Sequence, residues 1–179
     1  MARPAGPGRT ALLDAGTALA DRDGLRGLSV NAIVAAAGMA KGSFYQHFPS
    51  RRDFVVALHR RYHDELTALV LAAVEGLAPG AERLRIGVDS FLDACLDTKG
   101  TKAFLVQART EADLLEEVRK RNAQVGALVA ADFTAMGRDM PDETAHLLVA
   151  MVADLSLQEL SDSGPRRDLR AALFALIRV

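Results

Sequence analysis

A chain of 179 residues, 50% hydrophobic and 25% charged, is long enough to bury a core of its own, and no apolar run approaches the roughly 18 residues a membrane span needs. One cysteine, Cys95, and four histidines exclude both an internal disulfide framework and a structural zinc set. The net charge of −1 conceals a polarity: Met1 to Tyr62 carries nine Lys/Arg against four Asp/Glu, and His63 to Val179 thirteen against nineteen. A head at +5 thus precedes a body at −6, which concentrates phosphate affinity at one end. Met1 to Gly8 lacks the apolar stretch of a secretory signal, so a cytoplasmic protein is expected.

The periodicity is helical nearly throughout, with no alternating strand pattern, and the fold class expected is all-α with about nine helices. Helix one is expected over about Arg9–Asp23, with Leu12, Leu13, Ala15, Gly16 and Leu19 on one stripe and Gly24 as its end. Arg3 and Arg9 are read as a tail without a DNA contact rather than as a minor-groove arm. Ser29 stands where an N-cap belongs, and Val30, Ile33, Val34 and Ala37 follow at helical spacing before Gly38. The third helix, Lys41 to Phe48, is about two turns long because Pro49 stops it, and Ser50 caps a long amphipathic helix from Arg51 to about Val74. Further helices are expected over Ala81–Asp97, Lys102–Thr110, Glu111–Met136, Pro141–Leu160 and Arg166–Arg178.

Two short helices joined by a glycine-containing turn, Ser29–Ala37 and Lys41–Phe48, form a helix-turn-helix pattern whose second helix enters the major groove. The stretch LSVNAIVAAAGMAKGSFYQHFPSRRDF, Leu28 to Phe54, resembles the tetracycline-repressor (TetR) family of transcriptional regulators. The shared features are a capping Ser, an Ala-rich helix, a Gly-hydrophobic turn, a helix ending Tyr-x-His-Phe, and a capped fourth helix with a basic start. The detailed resemblance covers the first third of the chain. It implies a DNA-binding domain over residues 1–50 and a ligand-binding and dimerisation domain over residues 51–179. It also implies that Ser29 contacts a phosphate, that Asn31 reaches toward DNA, and that Lys41, Gly42, Ser43, Tyr45, Gln46 and His47 face the duplex. Arg51 then grips a phosphate from the fourth helix. The residue types fit these roles, since Lys41 and Arg51 bring charge, hydroxyls and imidazole donate to phosphate, and Gln46 can pair with adenine. Phe44 and Phe48, four apart, are expected to face inward. Ala40 and Gln46 depart from the commonest family residues, which bears on operator choice.

Nothing from Ala81 onward has catalytic spacing, so an enzyme is not expected, and neither a metal nor a cofactor is called for. His59 and His63 are four apart, but Arg60 stands where a zinc protease would need Glu; they are read as surface histidines. Arg52, Arg60 and Arg61 are read as a solvated face, and Glu116 and Glu117 as an ion-pair ladder with Lys120 and Arg121. For the body the resemblance implies a cavity among the middle helices and a four-helix bundle formed with a second subunit by the last two. Leucines wrapping Leu147 to Leu160, with Leu169, Leu173, Phe174, Leu176 and Ile177, exceed what one small body covers, which independently favours a twofold interface. Ligand-binding candidates are polar residues on apolar stripes with their neighbours: Phe91, Cys95, Phe104, Gln107, Arg109, Asn122, Met151 and Asp154. The partners expected are double-stranded operator DNA, a small-molecule effector of unknown identity, and a second copy of the chain. The expected function is a repressor released from a near-palindromic site when ligand pivots the Arg51–Val74 helix and misaligns the two recognition helices.

Overall fold

The computed structural model describes residues 6–99, 101–103, 105–106 and 114–178, the side chains of 24–26 apart. The fold is all-α, and the described residues contain no strand. Helices with described bounds run in order: α1 (Pro7–Gly27), α2 (Val30–Ala36), α3 (Lys41–His47), α4 (Arg51–Ala73), α5 (Ala81–Asp97), α6 (Leu115–Ala135), α7 (Pro141–Ser161) and α8 (Arg167–Ile177). The described residues of 99–106 are also helical. The expected helix over Lys102–Thr110 and the start of that from Glu111 fall partly on residues 107–113, outside the described residues.

The chain forms two compact units, a head of Met1–His63 with Thr98–Leu115 and a body of Asp64–Asp97 with Glu116–Val179. In the head, α1, α2 and α3 pack on one another around Leu12, Leu19, Leu28, Ile33, Phe44, Phe48, Phe54 and Leu58, all 5% exposed or less. Gly16 lies on this seam, where a Cβ would collide with the Phe54 ring; the absent side chain lets α1 approach α4 closely. The described residues of 98–106 join the head through hydrogen bonds that include two long-range ones. Thr101 donates to Asp21 at 2.5 Å, and the Tyr62 and Thr98 hydroxyls lie 2.7 Å apart.

The body core runs through Leu84, Val88 and Leu92 of α5, Ala130 and Phe133 of α6, Ala145, Leu148, Val152 and Leu155 of α7, and Leu173, Phe174 and Ile177 of α8. Arg85 lies over the Phe174 ring, 4.5 Å from its centre. An ionic clasp holds α8. The buried Arg170 donates to both oxygens of Glu159 at 2.7 and 2.8 Å, to Asp93 at 2.8 Å and to Asp89 at 3.3 Å. Glu159, with no exposed surface, also accepts the Arg166 backbone N–H at 2.9 Å. Such bidentate pairing is the geometry in which a buried guanidinium and carboxylate offset each other's desolvation.

Several expectations are corrected. Helix one does not end at Gly24 but runs to Gly27, because an interior glycine costs only about 1 kcal/mol and the adjoining turns continue. His59 is not a surface histidine; it is 1% exposed, its ring 4.4 Å from that of the half-buried His63. Arg61 is not merely solvated, since it pairs with Asp14 at 2.6 Å. In the ladder region Arg121 pairs with Asp64, and Glu116 with Arg119 at 3.9 Å. Among the described residues no three His, Cys, Asp or Glu side chains are placed to hold a metal ion, and no helix is long and apolar enough to cross a membrane.

Candidate nucleic-acid interface

Each boundary of the head's helices has a local cause. Ser29 is extended and its Oγ accepts the Ala32 N–H at 3.1 Å, capping α2. At the other end Gly38 takes φ 66, while the Met39 N–H reaches the Val34 carbonyl at 2.8 Å and the Gly38 N–H that of Ala35 at 3.2 Å. This paired closure satisfies two helix-end carbonyls and needs a left-handed residue, which glycine supplies without a Cβ penalty. Ala40 is extended ahead of α3 with no side-chain cap, and Phe48 is extended behind it, as a residue before proline must be. Ser50 then accepts the Asp53 N–H at 3.2 Å and donates to its carboxylate at 2.7 Å, starting α4.

The turn and caps fix a two-sided recognition helix. Its inner side carries Phe44 and Phe48, 0% and 2% exposed. Together with Phe54 they form a three-ring cluster with centroids 5.0–5.6 Å apart, distances at which aromatic pairs attract. Its outer side carries Lys41, Gly42, Gln46 and Tyr45, all exposed, flanked by half-buried Ser43 and His47. Tyr45 is 51% exposed, its ring edge-on to Phe44 at 5.4 Å. Asn31 and Ser29 are exposed at the start of α2. Arg51 lies nearby, its Nε donating to the Leu28 carbonyl at 2.7 Å, so the first turn of α4 is tied to the residue preceding the α2 cap. The structure thus brings the sequence-predicted DNA-facing residues onto one small unit, with donors and positive charge outside and aromatic packing within.

Sequence reasoning placed the start of helix one at about Arg9, two residues after the Pro7 at which α1 begins, and missed what Arg9 touches. Arg9 is not a tail residue: it belongs to α1, and its guanidinium lies 4.8 Å from the centre of the Phe48 ring. No local pattern announces this, because the contact joins residues 39 positions apart.

The ligand-binding candidates are more dispersed. Phe91 and Met151 pack at the edge of the body core, and Cys95 is buried one turn beyond Phe91 on α5. Asn122 is half-buried on α6. Asp154 is exposed and accepts a hydrogen bond from Gln158 at 2.6 Å. Phe104, Gln107 and Arg109 lie outside the described residues, or have side chains that do.

Comparison with known proteins agrees with this geometry. Residues 12–58 match the profile of bacterial regulatory proteins of the tetR family. An HTH-type transcriptional regulator of Mycobacterium tuberculosis is 24% identical over 163 residues, covering 89% of this chain and 80% of the relative. The HTH-type regulator LmrA of Bacillus subtilis is 25% identical, covering 89% and 74%. Among solved structures, the multidrug binding protein EbrR complexed with imidazole superposes with a TM-score of 0.75 at 26% identity, covering 94% of this chain and 93% of that one. The regulatory protein TetR of Rhodobacter sphaeroides shares the fold at a TM-score of 0.72 and 20% identity, covering 94% and 96%. The helix-turn-helix head thus matches the profile of tetR-family bacterial regulatory proteins, and along nearly all its length the chain is similar to DNA-binding transcriptional regulators rather than to enzymes.

Proposed function

We propose that this regulator is a cytoplasmic repressor that binds a near-palindromic operator as a homodimer and is released by a small molecule. Residues 1–50 serve DNA binding, and residues 51–179 serve ligand binding and dimerisation. The observation that carries the reading is the outer side of α3: exposed Lys41, Gly42, Tyr45 and Gln46 backed by fully buried Phe44 and Phe48. In this reading Lys41, Ser43, Tyr45 and His47 hold phosphates, Gln46 meets a base edge, and Ser29, Asn31 and Arg51 fix the head against the backbone.

Dimerisation through α7 and α8 is supported by the apolar surface those helices leave uncovered, with Leu147 61% and Leu176 73% exposed opposite a packed core. A twofold axis sets two recognition helices about 34 Å apart, one duplex turn. A ligand that prefers a conformation in which α4 has pivoted breaks that match and frees the DNA. A body site for the effector draws support from EbrR, a multidrug binding protein solved with imidazole; Phe91, Cys95, Asn122 and Met151 are its described candidates here, with Phe104, Gln107, Arg109 and Asp154 completing the set.

The test begins with selection of bound fragments from genomic DNA, followed by a metabolite screen for release. The expected result is one enriched, near-palindromic site whose binding is steeply salt-dependent and abolished by Lys41→Ala or Tyr45→Ala. Disruption of the gene then raises transcription from that site. Binding with no sequence preference, or a fall in transcription on disruption, overturns the repressor reading.

A further inference from the structure

The recognition helix is supported at its C-terminal end by a part of the chain that the helix-turn-helix pattern does not include. A Cβ on Gly8 would stand 2.7 Å from Nε2 of His47 and 3.2 Å from the Met39 methyl carbon. The first turn of α1 therefore presses against both the inter-helix turn and the last residue of α3. Beside it, the Arg9 guanidinium lies over the Phe48 ring at 4.8 Å. Among the described residues no hydrogen bond or ion pair engages that guanidinium, whereas Arg22 on the same helix is closed onto Asp23 at 2.7 Å. A planar guanidinium laid over a ring is held in orientation while the N–H donors on its edge remain available, a fork suited to a phosphate.

We infer that Arg9 is a further phosphate-contacting residue of the DNA complex, aimed by its stacking on Phe48, and that Gly8 is kept small so that His47 can lie at the same end of the reading surface. The head then holds the duplex at two places: Ser29 and Arg51 beside the start of α2, and Arg9 beside His47. This rests on the reading of α3 as the DNA-facing helix.

The test measures log Kd against log salt concentration, on the fragment the wild-type protein selects, for the wild type, Arg9→Gln, Arg9→Lys and the control Arg22→Gln. A phosphate contact predicts that Arg9→Gln weakens binding severalfold and lowers the salt slope by about one, that Arg9→Lys keeps the slope, and that Arg22→Gln leaves both as in the wild type. Phosphate-ethylation interference should lose one position per half-site in Arg9→Gln alone. Thermal unfolding of each variant separates this from a packing role: weaker binding with an unchanged slope and a lowered melting temperature overturns the inference. A wild type that selects no fragment removes the α3 reading and this inference together. A wild type that binds with a steep slope, matched by Arg9→Gln, removes only this inference.

Discussion

Among the described residues two that are not glycine take a positive φ, Arg178 and Ser163, and Ser163 lies at a helix end where the strain can be relieved. At φ 57 it occupies the left-handed position that closes α7, with the Gly164 N–H reaching the Glu159 carbonyl at 3.1 Å and its own N–H reaching Leu160 at 3.3 Å. A non-glycine residue there bears a steric cost of roughly 1–2 kcal/mol, part of which glycine gives back through its freer unfolded state. Ser163→Gly is expected to raise unfolding stability by about 1 kcal/mol, measured as a higher urea midpoint at an unchanged slope. A second residue-scale expectation concerns Asp168, in the first turn of α8. The hydrogen bond from Arg166 holds its carboxyl down to about 2. A depressed carboxylate contributes its pairing above the ordinary carboxylate range and loses it as pH falls from about 4 toward about 2. NMR titration of the Asp168 carboxyl carbon should give a midpoint near 2, returning toward 3.8 in Arg166→Gln; a wild-type midpoint already at 3.8 would reject the pairing in solution.

Among the elements, α8 depends most on a single side chain. Removing Arg170 strands Glu159, which has no exposed surface, so Arg170→Met is expected to cost about 3–5 kcal/mol. Replacing both partners, Arg170→Met with Glu159→Leu, should recover much of that loss, because no lone buried carboxylate remains. Equal destabilisation in the single and double variants, by urea unfolding, would refute the account. The elements also mark what local pattern can convey. The range Ala81–Asp97 of α5 was readable from Pro79 and Gly80 ahead of its amphipathic run, and Pro141 in the first turn of α7 from its fixed φ and missing N–H. The caps Ser29 and Ser50 and the inward Phe44 and Phe48 were equally legible, since each depends on neighbours within four residues. Burial of His59 was not. The Tyr62–Thr98 and Thr101–Asp21 hydrogen bonds of the head span 36 and 80 residues, and helical periodicity encodes neither such long-range contacts nor the burial of a polar side chain. Arg9 on Phe48 escaped for the same reason.

For the whole molecule, the apolar surface of α7 and α8 sets the expected assembly. Leu148 and Val152 face the core while Leu147 is open; on α8, Leu173 and Phe174 face inward while Ala172, Ala175 and Leu176 are exposed. Leu147→Glu with Leu176→Glu should leave the melting profile of the folded chain in place, yield a monomer by sedimentation, and weaken operator binding by well over tenfold, since each half-site is then bound separately. A variant that sediments like the wild type would place the interface elsewhere. The charge division of the chain, basic to Tyr62 and acidic beyond it, was evident from composition alone, and it matches the assignment of the tetR-family profile to residues 12–58.

The seven residues of α3 divide their labour by side: one side is structural and the other is addressable. Because the three phenylalanine rings tie the helix to the head from behind, exchanges at the exposed positions 41, 42 and 46 are expected to leave the folding free energy nearly untouched. On the proposed reading, a library randomised at position 46 alone would be populated mostly by folded proteins that keep their phosphate contacts, so base preference could be exchanged as a cartridge is swapped in an instrument whose housing stays the same.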